Sequence, residues 1–69
     1  MKTIIKGHAV SYEPSANAGV RYLTYDLDAS EANVFFNQSF NRGSADFEDK
    51  MGNDYKLIHH GSEYQLVKE

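Results

Sequence analysis

The chain has 69 residues, no cysteine and a formal charge of −3, which bounds it to one domain (1–69) and excludes a disulfide-stapled or thiolate-zinc scaffold. A domain this small buries roughly 60% of the surface its unfolded chain exposes, so its stability must come from a compact core, from self-association or from a bound partner. The seven basic residues, Lys2, Lys6, Arg21, Arg42, Lys50, Lys56 and Lys68, are scattered. That is a poor footprint for nucleic acid, which needs a basic face to displace counterions.

The N-terminal "MKTIIKGHAV" lacks the apolar run of a signal sequence, and no stretch is long enough to span a membrane. The expectation is a soluble, cytoplasmic protein without membrane attachment. Thr3 to Glu13 is rich in β-formers and predicts one strand, with Ile4, Lys6, His8, Val10 and Tyr12 on one face and Ile5, Gly7, Ala9 and Ser11 on the other. "EPSANAG" (13–19) reads as a loop. Val20 to Leu27 predicts a second strand, alternating Leu23, Tyr25 and Leu27 against Tyr22, Thr24 and Asp26.

"DASEANVFFNQSFNRG" predicts the only helix. Asp28 with Glu31 has capping-box spacing, and Gly43 follows Arg42 where a left-handed C-cap belongs. Ala29, Ala32, Phe35, Phe36, Ser39 and Phe40 share one face, the expected core side. Asn33, Val34, Asn37, Gln38 and Asn41 form the opposite, nearly uncharged face.

The last third predicts a three-stranded meander. A three-residue loop Lys50-Met51-Gly52, with Gly52 left-handed, sets Phe47 opposite Tyr55 and Ala45 opposite Leu57. A type II′ turn at Gly61-Ser62 sets His59 opposite Tyr64 and Leu57 opposite Leu66. The two registers agree in putting Ala45, Phe47, Tyr55, Leu57, Tyr64 and Leu66 on one face. The resulting expectation is an α+β domain, β-β-α-β-β-β, with a five-stranded antiparallel sheet in the order 2-1-3-4-5 and one helix on one face.

The chemistry-bearing residues weigh against catalysis. His59 and His60 are consecutive in a strand and point to opposite faces, so both cannot chelate one metal. "DFEDKMGND" fails the alternating-acid pattern of a calcium loop, because Met51 stands at its third ligand position counted from Asp49. Asp46 and Glu48 share a strand face but have no predicted cleft between them, and no nucleophile-elbow, phosphate-loop or zinc motif is present. No cofactor and no metal are expected.

What remains is the sheet face away from the helix, expected to carry Val10, Tyr12, Val20, Tyr22, Ile58 and Val67. Apolar residues grouped on one outward face suggest contact. The expected function is therefore a non-enzymatic interaction module, of adaptor or inhibitor type. It would bind a larger protein through Tyr12, Tyr22, Ile58 and Val67, with Asn33, Val34, Asn37, Gln38 and Asn41 as a weaker second surface. A homodimer burying these faces against each other, or a weak nucleic-acid or small-ligand binder, are the alternatives.

Overall fold

A computed structural model describes residues 1–69. Strands β1 (Lys2–Ile5) and β2 (His8–Tyr12) are followed by a 3-10 turn (Pro14–Ala16), helix α1 (Asn17–Arg21), a π-turn (Tyr22–Asp26) and helix α2 (Ala29–Arg42). Strands β3 (Ser44–Glu48), β4 (Asp54–His60) and β5 (Glu63–Lys68) complete the chain. The domain is α+β with a 5-stranded sheet in the order β1-β2-β5-β4-β3. Both helical segments lie on one face.

Three expectations are corrected. The expected strand from Thr3 to Glu13 is a hairpin instead. Lys6 (φ 50°) and Gly7 (φ 86°) both take left-handed conformations, the geometry of a type I′ turn, and Ile5 pairs with His8. The turn shifts parity, so Ile5, His8, Val10 and Tyr12 come to share a face. A Cβ at Gly7 would meet nothing within 4 Å. Gly7→Ala is therefore expected to cost about 1 kcal/mol through backbone strain alone, read as a lower urea midpoint with an unchanged slope.

The expected strand from Val20 to Leu27 is helical. Pro14 opens the 3-10 turn, where its fixed φ fits and its missing N–H costs nothing. From there Ala16, Gly19, Val20, Leu23 and Leu27 recur at helical spacing and turn inward, the first four of them buried. The helix loosens at its end into one π-turn, where the Leu27 N–H donates to the Tyr22 carbonyl at 3.1 Å. The Thr24 hydroxyl donates back to the Val20 carbonyl at 2.7 Å, a bond that competes with regular helical pairing.

The strand order is also corrected. The meander pairs as expected, but β5 rather than β3 joins the N-terminal hairpin, and it does so in parallel, with Val10 opposite Tyr64 and Tyr12 opposite Leu66. The sheet is mixed, not wholly antiparallel. This arrangement puts β5, with buried Tyr64 and Leu66, at the centre under the helices. It leaves β3, with Asp46 and Glu48, at an edge that those charges protect from further pairing.

The meander and α2 form for the reasons expected. Only Gly61 of the second turn has positive φ, as type II′ requires, and Gly52 has φ 86° in the first. The pairings Phe47–Tyr55, Ala45–Leu57, Leu57–Leu66 and His59–Tyr64 all occur. Helix α2 begins with a complete capping box between Asp28 and Glu31 and ends on left-handed Gly43. Its buried side is Ala32, Phe36 and Ser39, and the Ser39 hydroxyl donates to the Leu57 carbonyl at 2.8 Å. Phe40, expected in the core, is 62% exposed. The last turn of α2 sits over the end of the sheet, where Gly43 accepts from the His59 N–H and little remains for Phe40 to pack on except the His59 ring.

Candidate interaction surfaces

The register fixes which residues lie on the uncovered side of the sheet. Lys2 and Ile4 of β1, Ala9 and Ser11 of β2, Glu63, Gln65 and Val67 of β5, Lys56, Ile58 and His60 of β4, and Ser44, Asp46 and Glu48 of β3 all point away from the helices. Ile58 and Val67 are there as expected. Gln65 faces Ile58 and Lys56 faces Val67, so the two apolar side chains are diagonal neighbours in the body of the sheet, both half-buried. Lys2 pairs with Glu63 at 3.2 Å and Lys56 approaches Glu69 at 3.9 Å, while Asp46 and Glu48 at the β3 edge form no ion pair and leave that side of the face acidic.

Tyr12 and Tyr22 are not on this face. Tyr12 shares the helix-covered side with Val10 and packs against the core. Tyr22 belongs to the π-turn and stacks on Phe47, with ring centroids 6.0 Å apart and planes 11° from parallel. Both corrections follow from the parity change at Lys6-Gly7 and from the helical state of 20–27. The uncovered face is therefore aliphatic and charged, with no tyrosine or phenylalanine on it to serve as a platform for a base.

The weaker helix surface divides. Asn33 turns inward and its Oδ1 lies 3.0 Å from His8 Nε2. Gln38 is half-buried, whereas Val34, Asn37 and Asn41 are exposed. Phe40 joins them on the exposed side.

His8 and His59 are brought to one place that the sequence did not predict. Both flank Tyr64, at centroid distances of 5.4 and 5.2 Å, and His8 also stacks on Phe36 at 4.2 Å. These are aromatic packing contacts on the core side, and no group of three or more His, Asp or Glu side chains is arranged to hold a metal ion. His60 is exposed on the opposite face, as the alternation requires. Glu63, its cross-strand partner, directs its carboxylate to Lys2 instead.

The first meander loop is organised by Asp49. Its carboxylate accepts from the N–H groups of Met51 and Asn53 at 2.9 Å each, from Asn53 Nδ2 at 3.2 Å and from the Tyr55 hydroxyl at 3.0 Å. Burial by itself raises the Asp49 pKa, but the bonds donated by Asn53, Tyr55 and Met51 outweigh it and hold the group below its ordinary value. The Tyr55 hydroxyl is pushed up, first by burial and then by its bond to Asp49 and that carboxylate's charge. A charged loop tip thus turns out to be an internally satisfied scaffold.

A further feature lies where β1 runs beside the helical segment. Thr3 and Ile4 form one wall of a groove of about 410 Å³, and Asn17, Val20, Arg21, Thr24 and Tyr25 form the other. Those five helical residues follow the spacing i, i+3, i+4, i+7, i+8, a single face of the helix. The groove was not legible from the sequence, because the segment that builds its second wall reads there as a strand.

No known family model, curated protein or solved structure matches this chain. No helix is long and apolar enough to cross a membrane.

Proposed function

We propose that the protein is a non-enzymatic interaction module that docks onto a larger protein through the uncovered face of its sheet, in the manner of an adaptor or inhibitor. The observation that supports this reading is the diagonal pair Ile58 and Val67, which sits in the body of a five-stranded sheet with no layer over it. Lys2 and Lys56 are taken up by Glu63 and Glu69, which leaves apolar contact as the main attraction at the centre of this face and unpaired carboxylates only at its β3 edge. That acidic edge makes it a poor surface for phosphates.

The discriminating variant is Ile58→Asp combined with Val67→Asp. Both side chains point outward but are half-buried in mid-strand, so the melting midpoint should fall by several degrees through lost strand propensity while circular dichroism at 25 °C still shows the folded chain. Capture of the cellular partner by the immobilised chain should fall by about tenfold or more, the scale expected when the centre of an interface is charged. If light scattering finds a dimer that the double variant splits, the face pairs two copies instead. Undiminished capture by a folded, monomeric double variant would remove this face as the interface.

A further inference from the structure

Strand β1 is an edge whose outer side has no neighbour. In its pairing with β2, Met1 and Tyr12 exchange both bonds, the Met1 amino group donating to the Tyr12 carbonyl at 2.8 Å and the Tyr12 N–H donating to the Met1 carbonyl at 2.8 Å. Antiparallel ladders alternate bonded and unbonded pairs, so Thr3 and Ile5 also turn their backbone groups inward. Lys2 and Ile4 turn theirs outward, into open space. The opposite edge, β3, carries Asp46 and Glu48 as guards against pairing. Strand β1 presents Ile4, 65% exposed, and its one charge, Lys2, is drawn back over the sheet by Glu63 at 3.2 Å.

The groove beside β1 has a strand for one wall and a helical face for the other. An extended chain lying between an edge strand and a helix bonds its backbone to the strand and sets alternate side chains against the helix. Val20 and Thr24 form the deeper part of that wall, while Tyr25, 77% exposed, stands as an uncovered aromatic at its rim.

Charge narrows the occupant. No acidic residue lines the groove, and Arg21, which lines it, forms no ion pair. Lys6 closes one end of this region, with its Nζ on the Thr24 carbonyl at 3.0 Å. Two copies pairing β1 against β1 would bring Lys6 and Arg21 of each toward those of the other, with Lys2 alone matched by its own Glu63, which opposes self-pairing.

We propose that the groove between β1 and the α1–π-turn segment takes up an extended, acidic segment of a partner protein as an added strand. This goes beyond the sheet-face reading, because it uses a different surface and survives if that reading fails. The test uses the full chain and a defined probe, a fluorescein-labelled peptide of alternating valine and glutamate. Saturable binding is expected, with slowed hydrogen exchange at the Lys2 and Ile4 amides.

N-methylation of alternate peptide amides should weaken binding by about tenfold, the loss of two or more backbone bonds. Arg21→Glu, at an exposed position that leaves the fold intact, should weaken it by about fivefold, and a valine–lysine peptide should not bind. The proposal is overturned by any of three results: no saturable binding at millimolar peptide, binding indifferent to N-methylation and to Arg21→Glu, or protection of Lys2 and Ile4 that arises from self-association without peptide. Ile58→Asp with Val67→Asp should leave peptide binding unchanged, which separates failure of one surface from failure of the other.

Discussion

Gly19→Ala is expected to destabilise the fold by about 1–3 kcal/mol through overpacking, although the same exchange in an exposed helix ordinarily gains about 1 kcal/mol. The reason is the close approach of α1 to the sheet. A Cβ on Gly19 would lie 2.8 Å from both Cδ1 and Cε1 of Tyr55 and 3.1 Å from its Cγ. Tyr55 has no room to retreat. It is fully buried, it stacks on Phe47 at 5.4 Å, and its hydroxyl is tied to Asp49 at 3.0 Å. Either the helix lifts from the sheet or the ring leaves its hydrogen bond. For a domain of this size each kcal/mol moves the melting midpoint by about 4–8 °C, so thermal denaturation reads the effect directly. Gly19→Val should be worse, because a branched side chain cannot turn both of its methyl groups away from the ring. The control is Ala18→Gly, one residue earlier and exposed. It should cost about 1 kcal/mol by propensity alone. A stabilised Gly19→Ala variant would mean that α1 does not pack on Tyr55 as described.

The second large effect concerns pH. Asp49 titrates below its ordinary value in the folded chain because the bonds donated by Asn53, Tyr55 and Met51 outweigh the opposing effect of burial. A carboxylate with a depressed folded pKa adds stability that is fully present above the unfolded value, about 3.9, and is lost as pH falls through the lower folded value. Thermal melts taken from neutral pH downward should therefore hold steady until about pH 4 and then drop. Tyr55 extends the prediction to alkali. Its folded pKa is raised, so its contribution is present below the ordinary phenol value of about 10 and is lost as pH rises above it. Asp49→Asn should melt lower at neutral pH, since its amide brings a donor against the Tyr55 hydroxyl or Asn53 Nδ2 where the carboxylate accepted. It should also flatten the acid limb and bring the Tyr55 phenol back toward its ordinary titration, followed by phenolate absorbance. An acid limb of unchanged steepness in Asp49→Asn would show that other carboxylates carry the dependence.

The two effects share one side chain. Tyr55 is the floor under α1 and the anchor of the first meander loop, so the charged stretch Phe47–Tyr55 works as a structural joint. That stretch is rich in acids and first suggests a ligand site. The carboxylate at its centre, Asp49, is wholly taken up by donors of its own loop and by Tyr55.

How far the sequence reached depends on whether each signal was local. The meander was legible because its registers are set by turns of two and three residues, where Gly52 and Gly61 supply the required left-handed backbone. Helix α2 was legible because its capping box and its C-terminal glycine are contiguous with it. Ile58 and Val67 were placed on the uncovered face by those same registers. Tyr12 and Tyr22 were misplaced for two local reasons. Lys-Gly is a weak signal for a type I′ turn, which usually announces itself with Asn-Gly. Over Val20–Leu27, Leu23 and Leu27 are four apart and so satisfy both a helical spacing and an alternation of two, while inward Val20 and exposed Tyr25 fit only the helix, and the contact of Gly19 and Val20 with the core decides between them.

The pairing of β2 with β5 had no local signal of any kind. It joins residues more than fifty positions apart, in parallel, and what selects it is the burial of Tyr64 and Leu66 at the sheet centre. The sequence by itself determined the α+β class, the capped helix and the meander with its apolar face, because turns and caps are decided by neighbours along the chain. Only the tertiary structure decided the strand order, the helical state of 20–27 and the groove beside β1, because each of these depends on which distant surface a segment buries.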